Sequence, residues 1–183
     1  MSPRTALLLA ALLAAIGLAA VGLVTGLRQS PPRDARILVL DARTGKTLGG
    51  YDARGGYAVT ALLRDGRVAV AAMDDCSHGG GGSIVVLDAA LTHAKLISSP
   101  SGCAVARMNP DDVRAAAEPR RSPPESGLAG GAVDQLESAQ LVARDAAGKP
   151  LWKRSFGRPL GLIDTRDGRT VVPELGRFTP GAD

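Results

Sequence analysis

The chain has 183 residues and a formal charge of +4, with 45% hydrophobic and 22% charged residues. That length supports one folded domain with little left over for a second. The only aromatic residues are Tyr51, Tyr57, Trp152, Phe156 and Phe178, so a core built on large rings is excluded. The 23 glycines and 12 prolines stay below the level of a low-complexity chain.

Residues 1–5 form a short n-region carrying Arg4, and Ala6 to Leu27 follows without a charge. This segment is Leu and Ala throughout, relieved by Gly17, Gly22, Gly26, Ile16, Val21, Val24 and Thr25. At ~1.5 Å per residue it spans the ~30 Å hydrocarbon core, and it has no polar face to suit a soluble helix. It is longer than the ~7–15-residue apolar stretch of a cleavable signal. The segment 6–27 is therefore expected to be an uncleaved transmembrane signal anchor. Small residues such as Ala19, Ala20 and Gly26 leave cleavage, and a secreted body, as the alternative. Arg28, Arg33, Arg36 and Arg43 on the far side favour a cytoplasmic body by charge count. Long domains translocate largely regardless of charge, so a body outside the cytoplasmic membrane is expected. Gly22 and Gly26 have helix-dimer spacing, which Ala/Gly-rich apolar helices also contain by chance.

After a linker at 28–35, the body at 36–175 repeats, with 176–183 left as a tail. One unit is an apolar strand ending in Asp and a turn: Ile37 to Asp41, Ile84 to Asp88, and Leu141 to Asp145. The other is a strand, a tight turn and a strand. Tyr57–Leu63 and Val68–Ala72 flank Arg64-Asp-Gly-Arg67, and Arg166-Asp-Gly-Arg169 precedes Thr170–Val172. Asp-Gly between apolar runs is a strong hairpin signal. A weaker copy is expected at Cys103–Met108, with Asn109-Pro-Asp-Asp112 as turn and Val113–Ala117 as return strand. Asp65, Asp112 and Asp167 follow Asp41, Asp88 and Asp145 by 24, 24 and 22 residues, so the two units keep phase.

If the Asp-Gly hairpin supplies strands A and B and the Asp-turn hairpin strands C and D, the body reads CD, ABCD, ABCD, AB. Four antiparallel strands per repeat of roughly 40–50 residues is the signature of a β-propeller blade. The expectation is an all-β, propeller-like arc of about three four-stranded repeats behind one helix, with the first CD and last AB sharing a sheet.

Asp41, Thr44, Gly45 and Lys46 resemble the quinoprotein (PQQ-like) propeller repeat, as do Asp145, Gly148, Lys149 and Trp152 with one residue deleted. Gly49 stands where that repeat carries Trp, and the second copy keeps only its strand and Asp88. The resemblance implies blade type for most of residues 36–173 and does not imply a cofactor. In each turn the Asp side chain caps backbone amides, and Gly45 and Gly148 supply positive φ.

Candidate chemistry is sparse. Cys76 and Cys103 are expected to form a disulfide, which exported domains favour, closing a loop worth roughly 3–4 kcal/mol. Free thiols are the alternative in a reducing compartment. Asp74, Asp75, Cys76 and His78, with His93 distant, lack the paired spacing of a zinc site and read as a polar loop. Gly79 to Gly82 precede a strand rather than a helix, so they are no phosphate cradle. Residues 118–137 are Pro, Gly and Ser rich and are expected to be a mobile B–C loop. Asp164, Asp167 and Glu174 are not marked as a catalytic pair, and no Ser/His/Asp set assembles.

No metal and no cofactor are expected. Dispersed positive charge and few aromatics disfavour nucleic acid. The expected partners are the membrane through residues 6–27, and a protein or a second copy of the chain. Loops 74–83 and 118–137 are expected at one end of the arc, making Asp74, Asp75, His78, Arg120 and Arg121 the partner-binding face; idle linkers are the alternative. The sequence thus reads as a membrane-anchored, extracytoplasmic binding or scaffold module without catalytic activity. The alternatives are a quinoprotein-type oxidoreductase and a truncated propeller relic.

Overall fold

The structure, a computed structural model, describes residues 34–74, 76, 80–118, 131–137 and 139–177. The expected anchor at 6–27 lies outside them. Among the described residues no helix is long and apolar enough to cross a membrane.

The first hairpin comprises β1 (Ala35–Asp41) and β2 (Thr47–Ala53). The last comprises β10 (Asp164–Arg166) and β11 (Arg169–Glu174). These two hairpins, from opposite ends of the body, join in one antiparallel sheet ordered β10-β11-β1-β2, with Leu38 opposite Val172. The sharing of a sheet that the repeat phase demands is therefore present. A second sheet holds β3 (Tyr57–Leu62), β4 (Val68–Met73), β5 (Gly82–Leu87) and β6 (Ala94–Ser98) in sequence order.

The third repeat departs from expectation. Of the strands expected at Cys103–Met108 and Val113–Ala117, the first starts within helix α1 (Gly102–Ala106) and leaves it after Ala106, and the second lies wholly in α2 (Pro110–Ala117). The cause is local. Asn109 Oδ1 accepts the amides of Asp111 and Asp112 at 2.8 and 3.0 Å, and Asp112 Oδ2 accepts the Asn109 amide at 2.9 Å. Such a capping box, with Pro110 at the first helical position and an Ala run behind it, starts a helix rather than a turn. The stretch 118–137, expected as a loop, ends in a strand, β7 (Gly131–Glu137). It pairs with β8 (Gln140–Asp145), followed by β9 (Pro150–Ser155), giving a sheet of three strands rather than four. Val133 packs beside Leu141, and that burial outweighs the Gly-rich approach to the strand.

Apolar runs without alternation mark strands buried on both faces, and β1 and β4 are such strands. Ile37 and Val39 pack with Leu62, Val68, Val70 and Leu87 of the second sheet. Leu38 and Leu40 turn to the other face and meet Leu141 and Trp152 of the third, with Phe156 just beyond it. The far face of the second sheet, through Val59, Ala69, Ala71 and Ile84, packs on Val105 of α1 and Val113 of α2. The layers therefore run helices, second sheet, first sheet, third sheet.

The three Asp turns share one device. Asp41 Oδ1 accepts the amides of Arg43 and Thr44, Asp88 Oδ1 that of Thr92, and Asp145 Oδ1 those of Ala147 and Lys149. Gly45 and Gly148 have positive φ, and in the second turn Leu91 takes that conformation at +61°.

Candidate functional site

The outer strands of the first and second sheets splay apart and leave a cleft of about 300 Å³. Tyr51 and Ala53 of β2 form one wall, Ala94 and Leu96 of β6 the other, and Val70, Ala72, Ser83 and Val85 the floor. One end is closed by Leu91, whose side chain sits over Gly49. Arg54, exposed, stands at the other.

A glycine fixes that open end. Gly55 has φ +112°, and a Cβ there would lie 2.6 Å from the Met73 carbonyl carbon. The backbone after β2 can press on the end of β4 only without a side chain. Arg54 is thereby held beside Asp74 and the start of the 74–83 loop. The Cys76–Cys103 disulfide is present there, with S–S 2.12 Å and Cα–Cα 4.5 Å. It ties α1 to the chain leaving β4. The Gly102 amide also donates to the Gly80 carbonyl at 2.7 Å.

Of the expected partner face, Asp74 is exposed at this end of the cleft. Asp75, His78, Arg120 and Arg121 lie outside the described residues. Among the described residues no group of three His, Cys, Asp or Glu side chains could hold a metal. His93 sits instead in the second Asp turn, its Nδ1 2.9 Å from Asp88 Oδ2.

Asp164 has a structural task. Its Oδ2 accepts the Leu62 amide at 2.8 Å and Arg114 Nη2 at 2.5 Å. Arg114 Nε donates to the Leu62 carbonyl at 3.2 Å, and Nη1 donates to Asp111. Both side chains are over nine-tenths buried, so the pair fastens α2 to β3 and β10.

The side chains lining the cleft comprise one cation, two hydroxyl groups and otherwise apolar groups, with no carboxylate, imidazole or thiol. Such a lining can hold an apolar body and orient an anionic head, because Arg54 has no hydrogen bond or ion pair among the described residues. Sequence reasoning missed this cleft. Tyr51 and Arg54 look like ordinary positions of a solvent-facing strand, and Ala94 and Leu96 lie 40 residues and more away. Nothing short of the packing of two sheets brings them together.

No protein-family model, no curated protein and no solved structure matches the chain.

Proposed function

We propose that the chain is a membrane-tethered binding module of propeller-like build, with its body outside the cytoplasm, whose cleft takes a small amphipathic anion. The single observation that carries this reading is the cleft, with walls of Tyr51, Ala53, Ala94 and Leu96 and with Arg54, unpaired among the described residues, at its mouth. Its volume of about 300 Å³ lies at the small end of the ~300–1,000 Å³ range of ligand sites. The propeller-like reading is supported by the sheet shared between both ends of the body and by the common Asp turns. The extracytoplasmic reading is supported by the apolar segment 6–27 and by a disulfide, which persists in oxidising compartments.

The test is a calorimetric titration of the full chain in lipid nanodiscs with 4-phenylbutyrate against 4-phenylbutylamine. The acid should bind and the amine should not. Arg54→Gln should weaken binding about tenfold, as expected for one lost charge-assisted contact. Ala94→Trp, at an exposed position, should fill the cleft and abolish binding. Equal binding of acid and amine, or binding that survives Ala94→Trp, would sink the reading. The location is tested apart from the ligand, by C-terminal reporter fusions. A reporter active only in the cytosol would overturn it.

A further inference from the structure

Leu91, which closes one end of the cleft, stands in a conformation that its sister turn gives to glycine. The turns at Asp88 and Asp145 are built alike. The Leu91 amide donates to the Asp88 carbonyl at 3.0 Å, and the Gly148 amide donates to the Asp145 carbonyl at 2.9 Å. Both residues have positive φ, +61° for Leu91 and +79° for Gly148. Glycine takes that conformation freely, whereas a leucine there is strained. A Cβ on Gly148 would meet nothing within 4 Å. In the second turn Ala89, Ala90, Thr92 and His93 are exposed, and Leu91 alone turns inward, 6% exposed. Its Cδ1 lies 3.2 Å from where a Cβ on Gly49 would stand. Strain of this kind persists where the side chain has a task.

The cleft runs along β2 away from that stop. Gly49 lies under Leu91, Tyr51 and Ala53 follow on the wall, and Arg54 ends it. At a strand rise of ~3.3 Å per residue, Gly49 and Arg54 are about 16 Å apart. The opposite wall leaves the Leu91 turn in the same order, Ala94 and then Leu96. On the floor Val70 pairs with Val85, and Ala72 pairs with Ser83. The second pair is on the Arg54 side, where Gly55 presses on Met73. The cleft is thus a slot with a guanidinium and a serine hydroxyl at one end, apolar walls along its length and an apolar stop at the other. Less the reach of the two end side chains, its length suits a chain the size of hexanoate or octanoate.

We infer that the ligand is a short straight-chain carboxylate, and that Leu91 sets the longest chain the cleft admits. The carboxylate sits at Arg54 and the methyl end meets Leu91. The inference rests on the reading of the cleft as a site for an amphipathic anion, and adds the class and length of that anion. Packing alone does not account for Leu91, because a glycine at the same position closes the sister turn at Asp145 with the same hydrogen bond.

The test is a calorimetric titration of the full chain in nanodiscs of zwitterionic lipid with butyrate, hexanoate, octanoate, decanoate and dodecanoate, with empty nanodiscs subtracted. Each step of two methylenes that enters the slot should tighten binding about tenfold. In the wild type the gain should stop at octanoate. In Leu91→Gly, which suits the positive φ and removes the stop, decanoate should gain about another tenfold. A general loosening of the fold would weaken every acid by a similar factor and leave the break at octanoate, so that result in Leu91→Gly would overturn the inference. A wild-type series that gains steadily through dodecanoate would overturn it without any variant. In both cases binding of 4-phenylbutyrate that weakens in Arg54→Gln would leave the anion reading standing. No binding of 4-phenylbutyrate or of any alkanoate would sink the reading and the inference together.

Discussion

Trp152 Nε1 donates to the carbonyl of Ala42 at 2.9 Å, joining β9 to the first Asp turn across 110 residues of sequence. The indole also lies on Gly45, where a Cβ would come within 2.8 Å of the ring and φ is +69°. One side chain thus fastens the third sheet to the first. Gly45→Ala should destabilise by about 1–2 kcal/mol through backbone strain and the displaced ring. Trp152→Phe should lose about 1 kcal/mol with the hydrogen bond. Because the indole rests on Gly45, adding Gly45→Ala to Trp152→Phe should cost less than the two changes separately. Urea unfolding followed by circular dichroism measures all three, and strict additivity would count against the docking.

The buried pair of Arg114 and Asp164 should behave asymmetrically. Removing one partner, as in Asp164→Ala, strands a charge and should cost about 3–5 kcal/mol. Replacing both, as Arg114→Met with Asp164→Leu, should recover most of that loss. Equilibrium denaturation of the three variants decides it. A double variant as unstable as the single would mean that the Leu62 amide, and not the charge, dominates.

Reduction of Cys76–Cys103, separated by 27 residues, should lower stability by about 3–4 kcal/mol in the chain-entropy account. The Cys76→Ser/Cys103→Ser variant should unfold at the same denaturant concentration as the reduced wild type. Because α1 carries Cys103, hydrogen exchange should rise first in 102–106.

Acid should weaken the fold through two turns. The ring of His93 and the hydroxyl of Thr92 hold Asp88 well below the usual carboxylate range, and the Thr44 hydroxyl lowers Asp41. Both groups bind protons more readily in the unfolded chain, so their contribution is complete above about pH 4 and fades as pH falls further. Unfolding free energy measured from pH 7 down to pH 2.5 should drop in the acid limb. Asp41→Asn and Asp88→Asn should flatten that limb, and an unchanged slope in both would refute the assignment.

What the sequence determined by itself was the local chemistry: the Asp turns, the two Asp-Gly hairpins, the apolar runs of β1 and β4, and the phase that lets the first and last hairpins share a sheet. These depend on residues close together in the chain, where φ preference and side-chain capping act directly. The capping box at Asn109 and Asp112 is equally local, and it outweighs the strand that the repeat phase predicts, so the segment folds as α2. Val133 was hidden for the opposite reason, since β7 forms through its long-range ladder to β8 and the packing of Val133 on the cluster around Leu141. The tertiary structure alone decided the cleft and the meeting of the two Arg-Asp-Gly-Arg turns. Tyr51, Arg54 and Leu96, or Gly66 and Arg169, are brought together by sheet-on-sheet packing, which no period or motif along the chain encodes.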